Sequence, residues 1–114
     1  MGKAKDVLDE LREPALALRE RIPGVYSGYA ATSQAAMAEG ELPTRVKELI
    51  ALAIAVTREC DGCIASHARG AARAGASTGE VAEALGVAIM MNGGPGTVFA
   101  PRAYEAFLEF SSPA

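Results

Sequence analysis

The chain has no tryptophan, only three tyrosines and three phenylalanines, a single histidine and two cysteines in 114 residues. So few aromatics leave no platform on which nucleic-acid bases could stack. Eleven basic residues are scattered among fourteen acidic ones, for a net charge of −3, where a phosphate backbone rewards a basic stripe. Nucleic acid is therefore not an expected partner. No apolar run reaches the roughly 18 residues that a bilayer span requires, and residues 1–12 are charged and amphipathic, without a secretory apolar core. The expectation is a cytoplasmic protein with no membrane association. In that compartment thiols are kept reduced, so a close cysteine pair is expected to be catalytic or metal-binding rather than a structural staple.

What the chain does have is apolar surface. Half of its residues are hydrophobic, many of them alanine, and the mean hydropathy is positive at +0.15. For a chain of this size, residues 1–114 form one small domain, and part of that surface is expected to be hidden in a second copy. A homo-oligomer follows as an expectation.

The periodicity is helical throughout, and no pair of alternating apolar runs flanks a hairpin turn. The fold class read from it is all-α, with about six helices. Residues 3–12 and 14–21 read as helices separated or punctuated by Pro14, and Pro23–Gly24 breaks the chain again before a weaker helix over 25–38. Pro43 suits the first position of a helix running to about residue 57. Its centre, Leu49 to Val56, is apolar on every face and so should be buried. A helix over about 61–74 ends at Gly75 and carries small residues at Ala65, Ala68, Ala71 and Ala72, which allow another backbone to approach closely. Ser77-Thr-Gly-Glu80 has the form of a capping box before a helix over 81–91, and Asn92-Gly-Gly-Pro-Gly precedes a last helix over 97–110.

Both cysteines and the histidine lie within eight residues, Cys60-Asp-Gly-Cys63-Ile-Ala-Ser-His67. Two thiols at this spacing can close a disulfide within one turn of chain. His67, four residues after Cys63, falls one helical turn away on the same face. If Asp61 caps the helix, Cys63 sits in the first turn, where unpaired amides and the helix dipole favour a thiolate, while the Asp61 carboxylate opposes it. His67 is then placed to take the proton of Cys63. Zinc is the rival use of Cys60, Cys63 and His67, with Asp61, Glu48 or water as a fourth ligand. Structural zinc sites usually join two separated ligand pairs, and this chain has one cluster, so no metal is expected. Glu48 stands where the polar start of the central helix gives way to its apolar run. Spacing alone favours a solvated edge for it over a partly buried acid that meets His67.

Glu48 followed by Cys60-x-x-Cys63-x-x-x-His67 resembles the signature of the alkylhydroperoxidase D-like branch of the carboxymuconolactone decarboxylase family. Leu42-Pro-Thr-Arg-Val-Lys-Glu-Leu-Ile, Ala74-Gly-Ala-Ser-Thr-Gly-Glu-Val and Asn92-Gly-Gly-Pro are similar to the surrounding family text, and the likeness covers about residues 26–107. The resemblance implies an all-helical fold assembling as a homotrimer or homohexamer. It implies a peroxiredoxin-type thiol peroxidase with an antioxidant role, needing no metal or organic cofactor. Cys63 matches the peroxidatic cysteine, Cys60 its resolving partner, His67 the base and Glu48 the acid of a proton relay. The implied partners are a peroxide and an external dithiol, in the best-known relatives a lipoylated protein. A disulfide reductase or redox relay uses the same groups on another substrate, and a metal-binding or structural module is a further alternative. The namesake lactone decarboxylases generally lack the cysteine pair, so decarboxylation is not the expected activity. The chain departs from the pattern at Gly62, where many relatives carry histidine or tyrosine.

Overall fold

The computed structural model describes residues 2–111. Six helices follow one another: α1 (Lys3–Arg21), α2 (Pro23–Met37), α3 (Thr44–Thr57), α4 (Asp61–Arg73), α5 (Thr78–Asn92) and α6 (Gly94–Ser111). No strand occurs among the described residues. The all-α reading holds.

The core is built mainly from small side chains. Leu52, Val56, Val81 and Phe107 are its large fully buried members, Ile64 and Leu85 are nearly so, and alanines including Ala55, Ala65, Ala68, Ala71, Ala88, Ala100, Ala103 and Ala106 make up most of the rest. Ala65, Ala68 and Ala71 of α4 are buried as the small-residue face anticipates, and α4 packs against α3, α6 and α1. Residues this small let helix axes approach closely, at the cost of little apolar area per residue.

Helices α3 and α5 run parallel and in register. Arg45 in the first turn of α3 bonds Glu80 in the first turn of α5 at 3.2 Å, and Thr57 at the end of α3 accepts from Asn92 at the end of α5 at 2.9 Å. Each pair is 35 residues apart. The capping box forms as its sequence suggests, with Glu80 N–H bonded to Ser77 Oγ and Ser77 N–H bonded to the Glu80 carboxylate. The Ser77 amide holds the Glu80 carboxyl below the ordinary carboxylate range, with Arg45 adding to it against an opposing desolvation effect. The bond from the Ser77 amide to the carboxylate is therefore strongest at neutral pH and weakens on acidification, while the bond from the Glu80 amide to Ser77 Oγ does not titrate.

Several boundaries differ from the sequence reading. Residues 3–12 and 14–21 form one continuous helix with Pro14 inside it. Pro14 is exposed, so its ring meets solvent and the carbonyl it leaves without an N–H partner is open to water. Pro101 is tolerated in α6 in the same way. Pro43 is the N-cap of α3 rather than its first residue, and α2 begins at Pro23, after a break at Ile22 alone. The centre of α3 is not buried all round: Leu52, Ala55 and Val56 face the core, while Ile50 and Ile54 are about half exposed. On α5, Val87, Met90 and Met91 are exposed in the same way. No residue of α2 is buried, because α2 touches only α1 and α3.

The turn between α3 and α4 positions the cysteine pair. Cys60 N–H bonds Ala55 C=O and Glu59 N–H bonds Val56 C=O, which closes the end of α3 with Glu59 in the left-handed region at φ 53°. Left-handed backbone disfavours a residue with a Cβ by roughly 1–2 kcal/mol. Glu59→Gly is therefore expected to raise stability by about 1 kcal/mol, as read from the denaturation midpoint at unchanged slope.

Candidate active site

Cys60, Cys63, His67 and Glu48 are brought together by the α3–α4 hairpin. Cys60 and Cys63 are joined in a disulfide, with Cα atoms 5.2 Å apart. Cys63 is exposed and Cys60 half-buried, so Cys63 is the more accessible member of the pair. The helix cap differs from the expectation. Cys60, not Asp61, is the N-cap of α4, and its sulfur accepts the backbone N–H of Cys63 at 3.2 Å. Asp61 is the first helical residue instead. The terminus that was expected to favour a negative charge on Cys63 is thus shared: Cys60 takes the cap position and Cys63 the first turn.

His67 lies one turn beyond Cys63, and its Nδ1 is 2.7 Å from Glu48 Oε1. The Glu48 side chain is 15 % exposed and that of His67 30 %. Glu48 is therefore a partly buried acid in contact with His67, and not the solvated edge that spacing alone favours. Sequence distance misleads here because α4 folds back along α3. An ionised carboxylate can only accept, so Nδ1 of a neutral His67 carries the hydrogen and Nε2 keeps a free lone pair. The imidazole is held in one tautomer and one orientation, with its basic nitrogen unspent.

Two glycines make room for this arrangement. A Cβ on Gly70, one turn beyond His67, would overlap the Glu48 carboxylate. The absence of that side chain lets Glu48 lie against α4 at the height of His67. Gly70 was not recognised as a site residue from sequence. Its signal is a glycine inside an alanine-rich helix, where it is disfavoured by roughly 1 kcal/mol relative to alanine and so marks a close approach. At Gly62 a Cβ would come within 3.1 Å of Leu11 Cδ1. In this chain the position is covered by α1. Helix α1 is held there because the Glu109 carboxylate of α6 accepts the N–H groups of Ala4 and Lys5, at 3.2 and 2.8 Å, and so caps its N-terminus.

A cavity of about 480 Å³ opens onto the His67–Glu48 pair, walled on the other side by Ser33 and Met37 of α2. Ser66, Arg69 and Arg73 of α4 also line it, and none of these was singled out in the sequence. Among the described residues, no group of three or more His, Cys, Asp or Glu side chains is placed to hold a metal ion. Both sulfurs are in one disulfide and the Nδ1 of His67 is committed to Glu48. No helix among the described residues is long and apolar enough to cross a membrane.

The model of the carboxymuconolactone decarboxylase family matches residues 23–106. The chain belongs to that family. A crystal structure of the apo form of a carboxymuconolactone decarboxylase family protein from Legionella pneumophila superposes with a TM-score of 0.93 at 36 % identity, covering 96 % of this chain and 98 % of the other. An uncharacterized protein of Cupriavidus necator is 39 % identical over 103 residues, 90 % of this chain and 91 % of the relative. An uncharacterized protein from the cox locus of Paracoccus denitrificans is 39 % identical over 79 residues, 69 % of this chain and 71 % of its own. The family match includes α2, so the lightly packed second helix belongs to the shared unit.

If Gly70 is the gap that seats Glu48, Gly70→Ala should break the Glu48–His67 bond even though alanine is the better helix former. The expected result is loss of the hydrogen-bonded Nδ1–H resonance of His67 in NMR spectra. Glu48→Asp in the same background, one methylene shorter, should recover part of it. An unchanged His67 tautomer in Gly70→Ala would show that Glu48 has another way to reach the ring.

Proposed function

We propose that this chain is a thiol-dependent peroxidase of the alkylhydroperoxidase D-like kind, with Cys63 as nucleophile, Cys60 as resolving thiol and His67–Glu48 as proton relay. The observation that carries the reading is the 2.7 Å bond that commits Nδ1 of His67 to Glu48, one helical turn from a cysteine pair. A structural histidine has no need of an oriented and unoccupied Nε2 beside two thiols. Membership of a family that includes such peroxidases supports the reading.

The steps balance with the groups present. In the reduced protein His67 Nε2 takes the proton of Cys63. The thiolate attacks one oxygen of the peroxide, the O–O bond breaks, and Cys63 becomes a sulfenic acid while the leaving alkoxide takes the proton back as an alcohol. Cys60 then attacks the sulfenic sulfur, water leaves, and the disulfide seen in the structure is formed. A dithiol from outside returns the pair to its reduced form.

Exposure of Cys63 at the surface favours one second reading, a disulfide reductase or redox relay. Fully reduced protein treated with peroxide separates the two. The peroxidase is expected to lose two thiols to an intramolecular Cys60–Cys63 disulfide, identified by intact mass, faster than a free dithiol does. Thiols that ignore peroxide but exchange readily with disulfides would establish the relay instead. Cys63→Ser should abolish peroxide reduction, and His67→Ala should slow alkylation of Cys63 at neutral pH.

The proposed working form is a homo-oligomer, a trimer or hexamer by family resemblance. Ile50 and Ile54 form one stripe on α3, and Val87, Met90 and Met91 another on α5, at the same height because the two helices are in register. Their exposure, 56 % at Ile54 and 74 % at Met91, is what a face covered by a second copy would show in a single chain. Ile54→Glu should lower the mass measured by light scattering to that of one chain. A wild-type protein already monomeric in that measurement would refute the assembly.

A further inference from the structure

Cations that are scattered along the sequence meet at one place in the fold. Four of the chain's eleven, Lys5, Arg12, Arg69 and Arg73, line one cavity of about 360 Å³ between α1, α4 and the end of α6. One acid joins them, Asp9, and it is already bonded to Arg12 at 3.0 Å. Among the described residues neither Arg69 nor Arg73 is ion-paired. The two stand one turn apart on α4, where like charges repel. The helix C-terminus accounts for Arg73, which lies in the last turn, but not for Arg69. Both arginines also line the neighbouring cavity that opens onto His67 and Glu48, so they border both spaces. Leu8 and Phe110 add apolar wall on the α1 and α6 sides.

The geometry points to a binding site for the carboxylate of a thiol co-substrate, with Arg69 and Arg73 as the clamp that holds it beside the cysteine pair. The assignment rests on the thiol chemistry proposed above, and names the class of reductant that serves it. Arg69 and Arg73 lie six and ten residues beyond Cys63 on α4, about 9 and 15 Å along the axis at 1.5 Å per residue. A thiol carrying its carboxylate at the end of a short aliphatic chain, together with the length of an arginine side chain, is of a size to span that interval. The planar fork of arginine suits a carboxylate, and the apolar wall suits the chain. A small peroxide carries no charge for such a clamp to hold. The reduction step has more need of an anchor, because the attacking sulfur must approach along the S–S bond.

The thiolate of the bound acid attacks Sγ of Cys63, the more exposed residue of the pair. The S–S bond breaks, and its electron pair leaves on Cys60, whose sulfur already accepts a backbone N–H at the start of α4. A second molecule of thiol attacks the external sulfur of the mixed disulfide and releases Cys63 as thiolate. Two thiols are oxidised to one disulfide, and their two electrons and two protons return Cys60 and Cys63 to thiols.

The test uses the oxidised full chain, no peroxide, and two thiols of equal length, 6-mercaptohexanoate and 6-mercaptohexanamide. Reduction of Cys60–Cys63, followed by intact mass, should be about tenfold faster with the acid at low ionic strength, and the advantage should shrink as salt is added. Arg69→Gln/Arg73→Gln should bring the acid-to-amide ratio close to one. Arg19→Gln/Arg21→Gln, which removes the same charge from the far end of α1, should keep the wild-type ratio. Equal rates for the two thiols on wild-type protein would overturn the site with no variant needed. So would an advantage that survives in Arg69→Gln/Arg73→Gln. Failure of the peroxidase reading would show separately, as reduced thiols that ignore peroxide, and would leave the acid-to-amide ratio where it is.

Discussion

The contact between Glu48 and His67 organises this molecule more than any single piece of its core. A carboxylate with 15 % of its side chain exposed needs a partner for the water it has lost. The partner is supplied by the next helix, 19 residues along the chain. The turn that brings it there is set by backbone alone, since Cys60 N–H reaches back to Ala55 C=O and the chain reverses through Glu59. The same reversal that seats His67 beside Glu48 starts α4 at Cys60 and puts the two sulfurs at its mouth. Site and turn are therefore one construction, and neither can shift without the other.

Magnitudes show why the chain tolerates two locally unfavourable residues in this region. Glycine in a helix interior is disfavoured by about 1 kcal/mol against alanine, and a left-handed residue with a side chain by roughly 1–2 kcal/mol. A hydrogen bond to a charged group contributes about 1.5–3 kcal/mol when its geometry is good. Gly70 and Glu59 together take back about what the Glu48–His67 bond returns. These three contributions thus roughly cancel, and what the arrangement gains is the orientation of the imidazole. Local conflicts of this kind collect where a chain is shaped for chemistry rather than for stability.

Much of the fold was legible because the signals that carry it are local. Helical periodicity, the Ser77–Glu80 box and the glycine after α4 each act over a few residues, and each appears in the structure as its sequence suggests. The misreadings share one cause, which is that burial is decided by neighbours far away in the chain. Pro14 looks like a helix break, yet it sits on an outer face where the missing N–H is replaced by solvent. Ile50 and Ile54 look like core, yet no helix of the same chain covers them. Glu48 looks like a solvated edge until α4 is laid beside it. Cys60, Cys63 and His67 stood out by rarity and spacing. Gly70, Arg69 and Arg73 did not, because a glycine and two arginines on a helix have common uses that only their tertiary neighbours exclude.

Helix α4 divides its work by face, and 3.6 residues per turn is enough to explain how. Cys63, His67 and Gly70 recur at spacings of four and three, on the side that meets Glu48 of α3. Gly62, Ser66, Arg69 and Arg73 recur at four, three and four on an adjacent side. That side passes under Leu11 of α1 and on toward the cationic cavity. The buried alanines occupy the third side. A helix of thirteen residues thus presents a proton relay, a positive flank and a packing surface at once. The alanines make this possible, since small core residues leave the other two faces close enough to their partner helices to be shaped by them. Helix α1, capped by Glu109 of α6, closes the positive flank. The proposed anion site therefore depends on α6 as directly as the relay depends on α3, although neither helix contributes a sulfur or an imidazole.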